Sequence, residues 1–242
     1  MTSVLLVVSS ADAWTLKDGS RHPTGFWASE FIDPHRVFTE AGYDITVASP
    51  GGITPTVDEF SLSPAMNGND QSSIDAQRAY LAALGSTLTH PARLEDIDAD
   101  AYDAVYVSGG HGPMEDLAEN AKIGEIYAAL LPDPDKVVAA VCHGVGAFLP
   151  ARNTEGSWAF AGRKITGFTN EEETAVGFGD KAPWLLETRL RAAGADFDGG
   201  DPFVPNVVVD GNVVTGQNPA SAEPAAEAVV KLLSAVATRQ PS

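Results

Sequence analysis

The sequence lacks the features that several common classes of protein require. Its 242 residues contain a single cysteine, so no internal disulfide can form, which favours a reducing compartment. No apolar run approaches the roughly 20 residues that span a bilayer. Residues 1–3 lead straight into an apolar stretch without the charged start of a signal peptide. We therefore expect a cytoplasmic protein without a membrane partner.

Positive charge is also scarce in this chain. The sequence has 15 Lys and Arg against 33 Asp and Glu, which gives a formal net charge of -18. Nucleic acids and anionic membranes bind positively charged surfaces, so neither is expected as a partner. The acidic excess itself indicates a solvated surface and says little about chemistry.

Metal-ligand and nucleotide-binding patterns are missing as well. His22, His35, His90 and His111 show no ligand spacing, and the chain has neither a cysteine cluster nor an HExxH motif. The glycines of Gly109-Gly110-His111-Gly112 lack the spacing of the common nucleotide fingerprints. We expect no metal and no cofactor.

What the chain does contain is a series of short apolar runs separated by helical segments. Residues 4–8, 104–108 and 137–141 are such runs, typical of parallel strands that are covered on both faces. Strands that alternate with helices predict an α/β fold, a mostly parallel sheet sandwiched by helices. We expect residues 1–242 to form one domain, since large α/β sheets often reach this length.

The lone cysteine follows directly on one of these runs. Cys142 comes after residues 137–141 and before small residues that permit an abrupt turn into a helix. Ala140, Cys142 and Gly144 have the small-x-nucleophile-x-small spacing of a nucleophile elbow. A thiolate at a helix N-terminus is stabilised by free amides and the helix dipole, so we predict a lowered thiol pKa.

The residues around the cysteine complete a candidate reactive site. The ring of His143 can act as the base that thiol chemistry requires, and its backbone N–H faces the place where an oxyanion would form. The N–H of Gly110 is the candidate second donor. The alternative is a buried free cysteine that behaves as a small hydrophobe. The adjacent histidine favours the reactive interpretation.

Six motifs, taken together and in order, resemble a known family. They are Gly25-Phe-Trp-x-x-Glu30, Ala48-Ser-Pro-Gly-Gly52, Ser108-Gly-Gly-His-Gly112, Val141-Cys-His-Gly144, Thr166-Gly-Phe-Thr-Asn-Glu-Glu-Glu173 and Thr215-Gly-x-Asn-Pro-Ala-Ser221. The chain resembles the PfpI/ThiJ superfamily and, more narrowly, its branch of glyoxalase III and heat-shock chaperone proteins. The resemblance implies the flavodoxin-like fold of class I glutamine amidotransferases and a homodimer.

The resemblance also implies catalytic roles. Cys142 would be the nucleophile and His143 its imidazole partner, while Glu30 matches an acidic residue that approaches the thiol and is kept partly protonated by a poorly solvated pocket. The acid that orients the histidine falls in a run of glutamates, where Glu173 matches best and Glu172 is the reserve. The alternative is a helix cap, with Asn170 as the cap and Glu173 closing a capping box.

Two further residues are candidates for substrate contact. His111 follows Gly110 and can line the pocket, although a solvated loop histidine is an equal alternative. Trp27 is close enough to Glu30 in sequence to help desolvate it, although tryptophans are more often core residues.

A thiolate, an adjacent base and a protonated carboxyl, without a cofactor motif, suit a small reactive dicarbonyl as substrate. We expect a cofactor-independent lyase of the glyoxalase III type that converts methylglyoxal or a similar compound to a 2-hydroxy acid without glutathione. A deglycase or amidohydrolase using the same Cys142 is the second enzymatic hypothesis. A stress chaperone or redox-responsive protein, in which Cys142 is oxidised, is the alternative from another class, but it requires neither His143 nor a third acid.

Overall fold

A computed structural model describes residues 1–239. The predicted domain also includes residues 240–242, which lie outside the described part. Within residues 1–239, none of the helices combines the length and the apolar character that crossing a membrane requires.

The strands are β1 (Ser3–Val7), β2 (Ala13–Thr15), β3 (Arg21–Pro23), β4 (Asp44–Ser49), β5 (Ala92–Arg93), β6 (Ala104–Val107), β7 (Val137–Val141), β8 (Lys164–Ile165), β9 (Asp196–Phe197), β10 (Val207–Asp210) and β11 (Val213–Gly216). The α-helices are α1 (Ala28–Glu40), α2 (Gln71–Ala83), α3 (Ser86–Thr89), α4 (Gly112–Glu115), α5 (Ala121–Leu130), α6 (Asn170–Ala175), α7 (Leu186–Ala193) and α8 (Ala222–Arg239).

A central sheet of seven strands has the order β10-β11-β7-β6-β1-β4-β5. Each strand is parallel to its neighbours, except that β10 is antiparallel to β11. The prediction of a mostly parallel sheet is therefore confirmed. The antiparallel pair is joined at Gly211, whose φ of 62° is easily adopted only without a side chain.

The core lies where the central strands meet the helices. All residues of β6 and β7 are buried, as expected for strands covered on both faces. Helix α8 packs against β7, β11 and α1, and α5 packs against β7. The buried hydroxyls of Tyr106 and Tyr127 donate to the carbonyl oxygens of Ala222 and Ala139, so these large side chains leave no unpaired polar atom in the core.

The carboxyl ends of β1, β6 and β7 meet at one edge of the sheet because these strands are parallel. Residues that follow them, including Gly109, Gly110 and Cys142, therefore come together although they are distant in sequence. Helix α1 begins at Ala28 and brings Glu30 to the same edge in its first turn. In open α/β sheets this edge is the usual place for a ligand site.

Candidate active site

The predicted nucleophile elbow is present at Cys142. The backbone leaves β7 and turns into a 3-10 helix, Cys142–Phe148, and Cys142 itself has a φ of 57°. A residue with a side chain adopts this left-handed conformation at a cost of roughly 1–2 kcal/mol, and such strain is concentrated at functional sites. A Cβ atom at position 144 would lie 2.6 Å from the carbonyl oxygen of Val107, so the turn needs Gly144.

A chain of three buried side chains starts at the thiol. The Cys142 Sγ atom lies 3.3 Å from Nδ1 of His143, and Nε2 of His143 lies 2.6 Å from Oε2 of Glu173. Cys142, His143 and Glu173 are each at most 3% exposed. The structure thus brings these sequence-predicted residues together, in the order that a nucleophile, a base and an orienting acid require.

The neighbouring glutamate of the same helix has a different position. Glu172 accepts hydrogen bonds from the amide of Thr169 at 2.9 Å, the amide of Phe203 at 2.8 Å and the side-chain amide of Asn218 at 2.9 Å. Thr169 and Glu172 form the capping box of α6. The alternative with Asn170 and Glu173 as the capping pair is wrong by one residue, because the helix begins one position earlier than the pattern indicates.

Glu173 is held in its ionised form. Burial opposes ionisation of this carboxyl, but the charges and hydrogen bonds of His143 and His111 outweigh it and lower the pKa of Glu173. Nε2 of His111 lies 2.8 Å from Oε1 of Glu173, so both carboxylate oxygens are bonded to imidazoles. Burial, followed by the charge of His143, lowers the pKa of His111.

Glu30 lies on the other side of the thiol in a contrasting environment. It is fully buried, and burial raises its pKa to about 8. The Cys142 thiol and the amides of Gly109 and Gly110 lie near enough to oppose this shift, yet neither carboxyl oxygen has a well-formed hydrogen bond to another described residue. Burial therefore prevails, and Glu30 carries a proton at neutral pH.

The prediction of a lowered pKa for the Cys142 thiol is wrong. Burial raises the pKa of this thiol, and a Glu30 carboxylate would raise it further, while the backbone N–H of His143 acts in the opposite direction. The pattern of small residues reveals the elbow but not the depth of the site. A thiolate here requires that the neighbouring Glu30 keep its proton.

A cavity of about 520 Å³ opens over the thiol. The cavity lining includes Cys142, His143, Gly110, His111 and Trp27. Glu30 and Glu173 are not part of the lining but lie next to Cys142 and His143, so the structure brings all the predicted site residues together. Gly110 has a φ of 94°, and its amide is near the Glu30 carboxyl. Its function as an oxyanion donor stays a prediction.

Several residues of the cavity were missed in the sequence. His22 comes from β3, Asp58, Phe60 and Met66 come from the irregular segment before α2, and Val176 and Phe178 come from the segment after α6. Neither segment has a hydrophobic periodicity, so the only available signal was their position after strand ends that border the site.

His111 differs from the sequence interpretation in one respect. It lines the cavity as predicted, but its Nε2 atom is bonded to Glu173 and its ring stacks on Trp14 with centroids 4.6 Å apart. Ligand atoms of His111, His143 and Glu173 lie within 4.8 Å of one another, a set that can hold a metal ion. A metal would have to replace both hydrogen bonds that now join the imidazoles to the carboxylate.

Comparison with known proteins assigns this architecture to a family. A profile of the DJ-1/PfpI family matches residues 23–232. The chain belongs to the DJ-1/PfpI family. The predicted membership of this superfamily is thereby confirmed.

Relatives within the DJ-1/PfpI family narrow the resemblance further. The chain is 33% identical over 236 residues to glyoxalase 3 of Candida albicans, covering 95% of this chain and 98% of that protein. It is 31% identical over 243 residues to a glutathione-independent glyoxalase of Schizosaccharomyces pombe, covering 95% of each. The crystal structure of glyoxalase III from Candida albicans matches with a TM-score of 0.79 and 30% identity, covering 96% of this chain and 97% of that one.

Proposed function

We propose that this protein is a glutathione-independent glyoxalase, a lyase that converts methylglyoxal or a similar 2-oxoaldehyde and water to a 2-hydroxy acid. The observation that carries the proposal is the placement of one thiol between a protonated Glu30 and a His143 bonded to an ionised Glu173. The relatives named glyoxalases support it, since the chain covers nearly their whole length.

The first step forms a hemithioacetal. With Glu173 ionised, Nε2 of His143 carries the hydrogen of the bond between them, which leaves Nδ1 free to accept the proton of the Cys142 thiol 3.3 Å away. The sulfur then adds to the aldehyde carbon. Glu173 stabilises the imidazolium, while the N–H groups of His143 and Gly110 stabilise the alkoxide.

The second step moves hydrogen between the two carbons. His143 first gives its proton to the alkoxide, which completes the hemithioacetal and makes Nδ1 a base again. His143 then removes the proton from the former aldehyde carbon, and the proton of Glu30 neutralises the oxygen of the neighbouring carbonyl, which gives an enediol. His143 returns its proton to the second carbon while the hydroxyl group on the first carbon gives its proton back to Glu30, which produces a thioester. Water then hydrolyses the thioester and restores the thiol, so oxidation of one carbon balances reduction of the other. No external electron carrier takes part.

Product analysis tests this proposal. The purified protein, incubated with methylglyoxal and no glutathione, should form one lactate for each methylglyoxal consumed, and Cys142→Ala should form none. A hydrolase would instead release an amine from a peptide or a glycated amine, with methylglyoxal left unconverted. The second result would contradict the lyase assignment. We retain the homodimer as part of the proposal, to be tested by the mass of the protein in solution.

A further inference from the structure

The cavity over Cys142 is much larger than methylglyoxal. Cavities of about 300–1,000 Å³ bind ligands of drug size, and this one measures about 520 Å³. Methylglyoxal has only five non-hydrogen atoms and would leave most of that space to water. We infer that the preferred substrates are neutral 2-oxoaldehydes whose substituent is larger and more apolar than methyl. This inference rests on the proposed function.

One wall of the cavity consists of apolar side chains that are exposed to solvent. The rings of Trp27 and Phe60 meet edge to face with centroids 6.2 Å apart, and Met66 lies beside them in the cavity lining. Phe60 is 56% and Met66 44% exposed, unusually high for large apolar side chains. A substituent against this wall would remove apolar surface from water on both partners.

Further apolar side chains line the same cavity. Phe178 packs on His22 with ring centroids 4.6 Å apart, and Val176 lies in the same lining with 38% of its surface exposed. Cys142 and His143 are deeply buried members of the same lining, and Phe168 packs on His143 with ring centroids 4.4 Å apart. A 2-oxoaldehyde whose aldehyde carbon reaches Cys142 therefore directs its substituent into a cavity lined by these apolar side chains.

The charges around the cavity select against anionic substrates. Its described lining contains no Lys or Arg but includes the carboxyl groups of Asp12, Asp58 and Glu59. Arg21 and Arg78 pair with Asp12 and Glu59 from outside this lining, at 3.2 Å and 2.6 Å. A phosphate or carboxylate on the substrate would meet no Lys or Arg among the described lining residues. The same charges favour release of the product, which is itself a carboxylate.

Substrate comparison tests the inference. Wild-type kcat/KM for phenylglyoxal should exceed that for methylglyoxal by about tenfold or more, since even one added methylene in an apolar pocket gives about tenfold discrimination. The compound 4,5-dioxopentanoate, longer than methylglyoxal but ending in a carboxylate, should be converted no faster than methylglyoxal. Equal kcat/KM for phenylglyoxal and methylglyoxal, or preference for the carboxylate, would overturn the inference.

A substitution on the wall separates pocket effects from the intrinsic reactivity of each aldehyde. Phe60→Ala should lower kcat/KM for phenylglyoxal by about tenfold, the loss expected from truncating a ring contact, and should lower kcat/KM for methylglyoxal less, so that the ratio of the two values falls. Ile53→Ala is the matched control, because Ile53 is equally exposed at 58% but lies outside the cavity lining. An unchanged substrate ratio in Phe60→Ala would contradict the inference.

Binding to an inactive variant distinguishes failure of the inference from failure of the proposed function. In Cys142→Ala, tryptophan fluorescence should report binding of 2-hydroxyacetophenone at least about tenfold tighter than binding of hydroxyacetone. Conversion of methylglyoxal with no such difference would overturn the inference and leave the glyoxalase intact. Tight binding of the aromatic ketone without conversion of any aldehyde would overturn the proposed function and support the pocket's preference for apolar groups.

Discussion

Two buried glutamates on opposite sides of the Cys142–His143 pair have opposite ionisation states. Glu30 has no well-formed hydrogen bond to the described residues, and burial raises its pKa to about 8. Glu173 is almost as deeply buried, yet both of its oxygens are bonded to imidazoles and its pKa is lowered. Burial is common to both sites, so the neighbouring groups decide the difference.

The comparison teaches how one kind of side chain supplies two functions in one site. A carboxyl without a charged partner keeps its proton and can act as an acid at neutral pH. A carboxylate between two histidines stays ionised and can stabilise an imidazolium. Separating the pKa values of paired titratable groups in this way is a general means of assigning acid and base functions.

The largest expected effect comes from removing the proton of Glu30. Glu30→Gln keeps the shape of the side chain but cannot transfer a proton, so kcat for methylglyoxal should fall by about 10³-fold, within the range for general acid–base groups. Steady-state kinetics would measure it, with KM expected to change little. A kcat within about threefold of wild type would show that Glu30 has no part in proton transfer.

The same substitution should change how stability depends on pH. Because the folded pKa of Glu30 is about 8 and its ordinary value 4.5, its contribution is complete below pH 4.5. As pH rises from there to about 8, the unfolded chain ionises while the folded protein does not, so the free energy of unfolding falls. Between pH 5 and pH 8 the free energy of unfolding of the wild-type protein should fall by on the order of 3 kcal/mol relative to that of Glu30→Gln.

Urea unfolding of both proteins across this range would measure that difference. If the difference in free energy of unfolding between wild type and variant stayed constant with pH, Glu30 would already be ionised in the folded protein. This would contradict the protonated state assigned to Glu30.

On the other side of the site, Glu173→Gln should lower kcat by on the order of 10²-fold, because His143 would lose the charge that stabilises its imidazolium. The effect on KM should be small. Kinetics at several pH values would test it.

Glu172→Gln is the matched control for Glu173→Gln. It disturbs the capping box and the bonds from Phe203 and Asn218, so it should cost about 1–3 kcal/mol of stability while kcat changes little. A large loss of kcat in Glu172→Gln, with none in Glu173→Gln, would show that Glu172 and not Glu173 orients His143.

The smallest effect is expected at His111, which holds Glu173 from the side away from His143. His111→Gln should lower kcat by on the order of fivefold, since part of a charge-assisted hydrogen bond is worth about 1 kcal/mol. KM should stay unchanged if His111 positions Glu173. A raised KM with an unchanged kcat would support the sequence interpretation of His111 as a substrate contact instead.

The sequence was sufficient for the sheet and the elbow because both depend on local patterns. Continuous apolar runs identified β6 and β7, and small residues around Cys142 identified the sharp turn. Choosing between Glu172 and Glu173 was harder, since consecutive helix residues point about 100° apart and a shift of one residue exchanges their functions. The resemblance to the family motif favoured Glu173, which is the one bonded to His143.

The pKa of Cys142 and the residues of the cavity walls could not be predicted from the sequence, for a different reason. The raised thiol pKa depends on the burial of Cys142 in the folded protein, which no local sequence pattern reports. Phe60 and Met66 belong to a segment without periodicity, and Phe178 follows a short helix. Their convergence on one cavity is a property of the tertiary structure alone.

The most direct test of the contrast between the two glutamates is infrared spectroscopy of the resting protein at pH 7, which distinguishes a protonated carboxyl from a carboxylate by its C=O stretch. The account predicts a protonated carboxyl band that disappears in Glu30→Gln, persists in Glu173→Gln and titrates near the pKa of about 8. A band that persists in Glu30→Gln, or that disappears in Glu173→Gln, would contradict it.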